Sequence, residues 1–220
     1  MIRHIGRGIF FVIEGVDGNG KSTIARLLKE WLVNEHKMNA QITKEPDKNR
    51  PYGKKIYEDL DTPDGVHKTD PIGFQAWFAC DSKQNVVDNF PRVLSSDRGV
   101  IVADRYRHSM VYGATKGKSQ FAELMQKNAN ILGEHFFWPD MTFILDVSTE
   151  TSMKRLCEKG RKLDGYETKL RLVWVRQNYL DFKEAYPDGC HIISGEQKPE
   201  EILEEIKVLA VPLLRKKGFI

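Results

Sequence analysis

Cysteine is scarce in this chain: three in 220 residues, Cys80, Cys157 and Cys190, widely spaced and with no Cys-x-x-Cys pair. That excludes a disulfide framework and a thiolate zinc site, and it fits a reducing, cytoplasmic setting. The six histidines, at positions 4, 36, 67, 108, 135 and 191, contain no His-x-x-x-His spacing, so each is read as a surface or core residue, with only His108 close to a candidate motif. No apolar run approaches the roughly 18 residues that mark a membrane span. Arg3, His4 and Arg7 lead straight into a short apolar segment without a small-residue cleavage site, so neither insertion nor secretion is expected. Excess charge is lacking too. The 34 Lys+Arg against 31 Asp+Glu leave a net of +3, interspersed along the chain, which gives nucleic-acid binding no support. Repeats, low-complexity tracts and flexible linkers are also missing, so residues 1–220 are read as one domain.

What is present is an alternation of two patterns. Ile9–Ile13, Val100–Ala103 and Met141–Leu145 are nearly continuous apolar runs, as strands covered on both faces must be, and Gln41–Thr43 and Cys190–Ile193 are shorter candidates. Between them, Ile24, Leu27, Leu28, Trp31 and Leu32 fall at helical spacing, as do Ile202, Ile206, Leu209 and Leu213. Further helices are predicted at about 71–90, ending near Pro91, at about 119–132, at about 149–159 and at about 167–185, where Leu170, Val173, Trp174 and Gln177 share a face. Alternating strands and helices predict an α/β fold with a five-stranded parallel sheet flanked by helices, whose ligands bind beyond the carboxyl ends of the strands.

The first strand runs into Gly15-Val16-Asp17-Gly18-Asn19-Gly20-Lys21-Ser22, which matches G-x-x-x-x-G-K-[ST] and opens the first amphipathic helix. Strand, glycine loop and helix in that order make a phosphate cradle of the P-loop NTPase type. Gly15, Gly18, Asn19 and Gly20 let amide N–H groups converge, Lys21 adds a mobile charge, Ser22 offers a hydroxyl to Mg²⁺ and Thr23 follows at the helix start. Phosphate oxygens are the ligand such a loop predicts. A second apolar strand ends in Asp104-Arg105-Tyr106, which sets Asp104 to hold the metal ion or its water, and Arg105 to reach a transferring or accepting phosphate.

Phe11–Thr23, Thr43-Lys44-Glu45-Pro46, Asp104-Arg105-Tyr106 with Ser109, Tyr112, Lys116 and Gly117, Phe143–Val147 and Val175–Tyr179 together resemble thymidylate kinases over nearly the whole chain. The resemblance implies transfer of the γ-phosphoryl of MgATP to a deoxynucleoside monophosphate, dTMP by default, by a homodimer. It implies that Asp17 contacts the deoxyribose 3′-hydroxyl, that Arg105 holds the acceptor phosphate, that Asp104 lies near Mg²⁺, and that Phe78 stacks on the base, with Ser109 and Tyr112 in the pocket loop. Phe74 and Trp77, on the same helix, are read as core.

Three departures from the family pattern stand out. Lys44 occupies the place of an arginine expected to bind the acceptor phosphate, so either Lys44 or Arg50 takes that role, although lysine lacks the bidentate fork. Ser82 stands where a base-reading arginine is expected, with Lys83 about 100° further around the helix. Tyr112 is eight residues beyond Asp104, one fewer than is typical. The Ser82 departure predicts relaxed or redirected base selection, with strict dTMP use as the alternative if another residue takes over. A basic cluster, Lys154, Arg155, Lys159, Arg161 and Lys162, ends in Leu163-Asp164-Gly165 and reads as a short mobile lid over about 154–167, with Arg161 delivering charge to the γ-phosphoryl. The rival readings are a nucleoside kinase, with Glu45 as its base, and a regulatory P-loop ATPase. The lack of an Asn-Lys-x-Asp motif argues against a GTPase switch.

Overall fold

The computed structural model describes residues 7–160 and 162–220. Five strands form one parallel sheet: β1 (Ile9–Glu14), β2 (Asn39–Lys44), β3 (Gly99–Asp104), β4 (Met141–Asp146) and β5 (Cys190–Ser194), in the spatial order β2-β3-β1-β4-β5. All four pairings are parallel. The helices are α1 (Lys21–Asn34), α2 (Pro51–Leu60), α3 (Val66–Thr69), α4 (Pro71–Leu94), α5 (Phe121–Leu132), α6 (Thr149–Glu158), α7 (Lys169–Ala185) and α8 (Pro199–Lys216), with 3₁₀ segments at Arg107–Gly113, Gly117–Gln120 and Gly133–His135.

The central strands are buried on both faces, which is why they read as unbroken apolar runs. Period-2 alternation divides β1: Ile9, Phe11 and Ile13 pack with Leu28 and Leu32 of α1 and Ile206 and Leu214 of α8, whereas Phe10 and Val12 meet Val86, Phe90 and Val93 of α4. A third cluster joins Ile144 and Val147 to Leu172, Val175, Tyr179 and Phe182 of α7. The β1–β3 register sets Ile13 opposite Asp104, so the glycine loop after β1 and the acid at the end of β3 emerge side by side.

Three elements differ from the sequence expectation. Helix α4 continues past Pro91 to Leu94, because Val93 and Leu94 are buried and their burial outweighs the hydrogen bond that Pro91 forfeits. In α7, Leu170, Val173, Trp174 and Gln177 share a face as expected, but it is the outer one, Leu170 being 83% exposed, and the buried face is Leu172, Val175, Tyr179 and Phe182. Helix α2 has no counterpart in the sequence reading; it starts with Pro51 at its first position and buries only Gly53, Ile56 and Leu60, too few apolar positions to announce it. No helix among the described residues is long and apolar enough to cross a membrane.

Leu28→Ala should lower unfolding free energy by about 2–5 kcal/mol, because Leu28 is fully buried between α1 and the sheet. The exposed Val208→Ala should change it by less than about 0.5 kcal/mol. Denaturant melts of both variants check the placement of α1 and α8.

Candidate active site

The glycine loop closes around its own backbone. Gly15, Gly18 and Gly20 adopt positive φ of 126°, 79° and 95°. A Cβ at Gly18 would lie 2.6 Å from the Ser152 carbonyl oxygen of α6, so the loop packs too tightly there for any side chain. Asn19 ties the loop to the sheet: its Nδ2 donates to the carbonyls of Glu14 (3.1 Å) and Leu145 (2.9 Å), while its Oδ1 accepts from Lys21 N (3.2 Å). Lys21 Nζ is folded inward and donates to Gly15 O (3.1 Å), Val16 O (2.7 Å) and Asn19 Oδ1 (2.9 Å). Burial, aided by the nearby Arg105 charge, pushes its ammonium down to about 7. At the start of α1, Ser22 Oγ donates to Asp104 Oδ2 at 2.5 Å. Ser22 and Thr23 both face the large cavity that the loop encloses with Lys44, Arg155 and Lys159.

Arg105 is the hub of the neighbouring compartment. Its backbone takes a positive φ of 72°, and its N–H donates to Ile13 O at 3.0 Å. From there the guanidinium turns back over the loop: Nη2 donates to Asp17 Oδ1 (2.5 Å) and Tyr112 Oη (3.2 Å), and Nη1 to Gly15 O (3.1 Å). Tyr112 Oη also donates to Asp17 Oδ2 (2.8 Å). Although burial opposes it, the charges of Arg105 and Lys21 hold the Asp17 carboxyl far below the usual carboxylate range. Beneath the pair, fully buried Glu14 accepts from Tyr106 N (2.9 Å), Ser109 Oγ (2.9 Å) and Tyr179 Oη (2.8 Å), and its Oε2 lies 3.9 Å from Arg105 Nη1. Burial raises the Glu14 carboxyl, with Arg105 opposing that rise.

Above Arg105 opens a pocket with Tyr57, Phe78 and Tyr166 in its walls. Tyr112 and Tyr166 stack with ring centroids 5.3 Å apart and planes 26° from parallel. Phe78 lines this pocket, braced edge-on by Phe74 at 5.3 Å. Phe74 itself is fully buried, and Trp77 is half-buried against the same core, with the Lys55 ammonium 3.7 Å from its ring centroid. Gly165 is explained by His67, whose Nε2 would lie 2.4 Å from a Cβ there.

The geometry distinguishes the two basic candidates near β2. Arg50 donates through Nε and Nη2 to both carboxylate oxygens of Asp81 (2.9 and 2.7 Å) and through Nη2 to Lys44 O (2.7 Å), and it lines neither the phosphate cavity nor the pocket above Arg105. Lys44 faces the phosphate cavity. Ser82 is buried, and its Oγ lies near the Glu45 carboxyl without a hydrogen bond. Lys83 turns the other way and donates to Ile131 O at 2.9 Å. Glu45 accepts from Asn85 Nδ2 at 2.7 Å, and burial pushes its carboxyl up to about 8. His108 is a core residue between Phe182 and Trp138. In the basic segment, Arg155 is bound to Gly195 O through both Nη atoms (3.1 Å each); Arg161 lies outside the described residues.

Sequence reasoning passed over Glu14, Tyr57, Tyr166 and Tyr179 as site residues. Glu14 carried a signal, an acid closing an otherwise apolar strand; the three tyrosines sit in helices or loops where nothing in their spacing marks them.

Comparison with known proteins agrees with this geometry. The profile of the thymidylate kinase family matches residues 13–206. Similar proteins include the thymidylate kinase of Chlamydia felis, 30% identical over 90% of this chain and 95% of that protein. A probable thymidylate kinase of Pyrococcus abyssi is 31% identical over 92% and 96%, and the thymidylate kinase of Halothermothrix orenii is 33% identical over 91% and 95%.

Lys21 generates a pH prediction. Free, its ammonium titrates at about 7; a phosphate anion in the loop favours the charged form and raises it. Binding of MgATP should therefore take up protons at pH 8, and fewer at pH 6, where Lys21 is already charged. Calorimetry in buffers of different ionisation enthalpy measures this, with Lys21→Met abolishing the uptake.

Proposed function

The chain belongs to the thymidylate kinase family, and from that premise we propose that it transfers the γ-phosphoryl group of ATP to dTMP, yielding ADP and dTDP. The observation that carries the reading is the adjacency of two anion sites: the glycine loop with Lys21, and Arg105, which is held by Asp17 at the boundary where the phosphate cavity meets the aromatic pocket. A nucleoside kinase would need a carboxylate free to take a hydroxyl proton; Glu45 is buried and bonded to Asn85. Neither that alternative nor a regulatory ATPase is favoured by the family match.

In the proposed reaction a dTMP phosphate oxygen attacks Pγ while the bond from Pγ to the β,γ-bridging oxygen breaks, and ADP leaves with that electron pair. The acceptor phosphate is an anionic nucleophile at neutral pH, so the protein's task is positioning and charge neutralisation. The loop amides of Gly15, Gly18, Asn19 and Gly20 and the Lys21 ammonium cradle the ATP phosphates. Arg105, with Lys44 on the cavity wall, orients the acceptor phosphate. Asp17 supplies the deoxyribose 3′-hydroxyl contact, Tyr112 fixes Asp17 and Phe78 stacks on the base. Ser22 and Asp104 are the oxygen donors for Mg²⁺: one hydroxyl and one carboxylate beside a phosphate cavity is the sparse set that this ion takes. The ion, once bound with ATP, neutralises charge on the phosphate oxygens. Arg161 is assigned from sequence to the γ-phosphoryl, within a lid over about 154–167 of a single kinase domain, residues 1–220. We expect a cytoplasmic homodimer, supported by family membership and by three free cysteines.

A coupled assay of ADP formation, run with each nucleoside and each nucleoside monophosphate, tests the function; turnover that depends on dTMP is the expected result. Lys21→Ala should lower kcat at least about 10²-fold while its melting profile stays native. Arg161→Ala should depress kcat far more than ATP affinity, with Lys159→Ala and Lys162→Ala losing less. Equal losses in all three would mean a diffuse basic patch.

A further inference from the structure

Arg107 opens the 3₁₀ segment just beyond Arg105 and is only 3% exposed. Aromatic rings surround it: its guanidinium carbon lies 4.0 Å from the Phe136 ring centroid, 4.5 Å from Trp138 and 5.0 Å from Tyr106. Ring faces attract the cation but offer no in-plane acceptor to its N–H edge. Nε, Nη1 and Nη2 all lack a hydrogen-bond partner. Burial lowers its titration only to about 10, so the group is charged at neutral pH. Glu45, whose charge acts on it, is itself pushed up to about 8 by burial and gives weak compensation. A buried guanidinium with every nitrogen unmatched is costly to the free protein, and an arriving acceptor-rich group removes that cost.

The surroundings specify the group. Arg107 lines a small cavity with Glu45, Gln75, Phe78, Ser109 and Asn128. That cavity shares Phe78 and Ser109 with the pocket above Arg105, which in turn shares Asp17 and Arg105 with the phosphate cavity. The small cavity also shares Glu45 with the phosphate cavity, so the three compartments adjoin, and Arg107 lines the one that contains no residue of the glycine loop. A monophosphate held at Arg105 with its ring against Phe78 points the far edge of its base at Arg107. Ser82 lines none of the three, and Lys83 is turned to α5. We infer that Arg107, delivered from the segment after β3, is the donor that reads the base, selecting pyrimidines that carry a carbonyl oxygen at C4. The inference rests on the thymidylate kinase reading. The C4 oxygen of thymine accepts from the guanidinium, whereas a 4-amino group would set N–H against N–H at that position and leave only the neighbouring ring N3 as an acceptor. The shortened loop to Tyr112 and the missing helix arginine then form one rearrangement, which keeps dTMP selection while moving its donor to another element.

The test compares dTMP with 5-methyl-dCMP, which keeps the methyl group and the stacking face but presents an amino group at C4. Wild-type enzyme should prefer dTMP by at least about 10²-fold in kcat/KM. Arg107→Met, which refills the aromatic cage without donors, should lower kcat/KM for dTMP about 10²-fold, mainly through KM, and bring the two acceptors within about tenfold. The KM for ATP should stay within about twofold, because the phosphate cavity is untouched. Arg107→Lys, retaining charge without the fork, should also reduce the ratio at least about tenfold. Equal losses for both acceptors, an unchanged ratio in Arg107→Lys, or wild-type indifference to the C4 group would each overturn the inference; the last needs no variant to fold. Absence of dTMP-dependent ADP formation in the wild type would instead overturn the kinase reading itself, and this inference with it.

Discussion

A guanidinium buried between two carboxylates, at the carboxyl ends of β1 and β3, is the constraint from which the site is built. Arg105 binds Asp17 in the glycine loop and faces Glu14 beneath it. The positive φ at Arg105 directs its side chain back over β1 and away from solvent. Removing the guanidinium would take the closest positive charge from both carboxylates, leaving Asp17 to Lys21 and Tyr112 and Glu14 to its hydrogen bonds from Tyr106, Ser109 and Tyr179. Tyr112, Tyr179 and Ser109 complete the arrangement, each reaching Glu14 or Asp17 as well as Arg105, so the phosphate loop, the 3₁₀ segment and α7 are held by one shared network. Such a network fixes the distance between the two anion sites, which is what a phosphoryl transfer with no dedicated base requires.

The sheet explains why these groups converge. Parallel strands β1, β3 and β4 all end at the same edge, and β1 lies between the other two. Asn19 fastens the loop to both β1 and β4, so the loop takes its shape from the sheet. The acceptor side is built differently, by aromatic packing: Phe74 braces Phe78, Tyr166 stacks on Tyr112, and three rings enclose Arg107. Charged groups line the phosphate cavity, and aromatic rings wall the pocket beside it.

Much of the fold was legible in the sequence, because buried parallel strands must be apolar throughout and the glycine loop has a fixed spacing. Ile9–Ile13 and Val100–Ala103 could be placed within a residue or two for that reason. Helix α2 escaped because it is held by few apolar contacts, and the buried face of α7 was not apparent because Leu170 and Val173 are apolar yet exposed. Within the site, Lys21, Asp104 and Arg105 lie next to strand ends and could be found by position. Glu14 and Arg107 act through residues distant in sequence: Arg107 meets Phe136 and Trp138, and Glu14 meets Tyr179, pairings that no local spacing encodes. Arg50 and Lys44 were indistinguishable until the position of Asp81 was known.

The central claim is that Arg105 recognises the acceptor's phosphate and not its nucleoside. Calorimetric binding of dTMP and of thymidine to the wild-type protein and to Arg105→Lys tests it directly. Lysine keeps a positive charge near Glu14 and Asp17 but lacks the fork. The account predicts that dTMP affinity falls about 10²-fold while thymidine affinity changes less than about threefold, as expected when a charge-assisted contact to phosphate is lost. Equal weakening of both ligands, or unaltered dTMP binding, would contradict it.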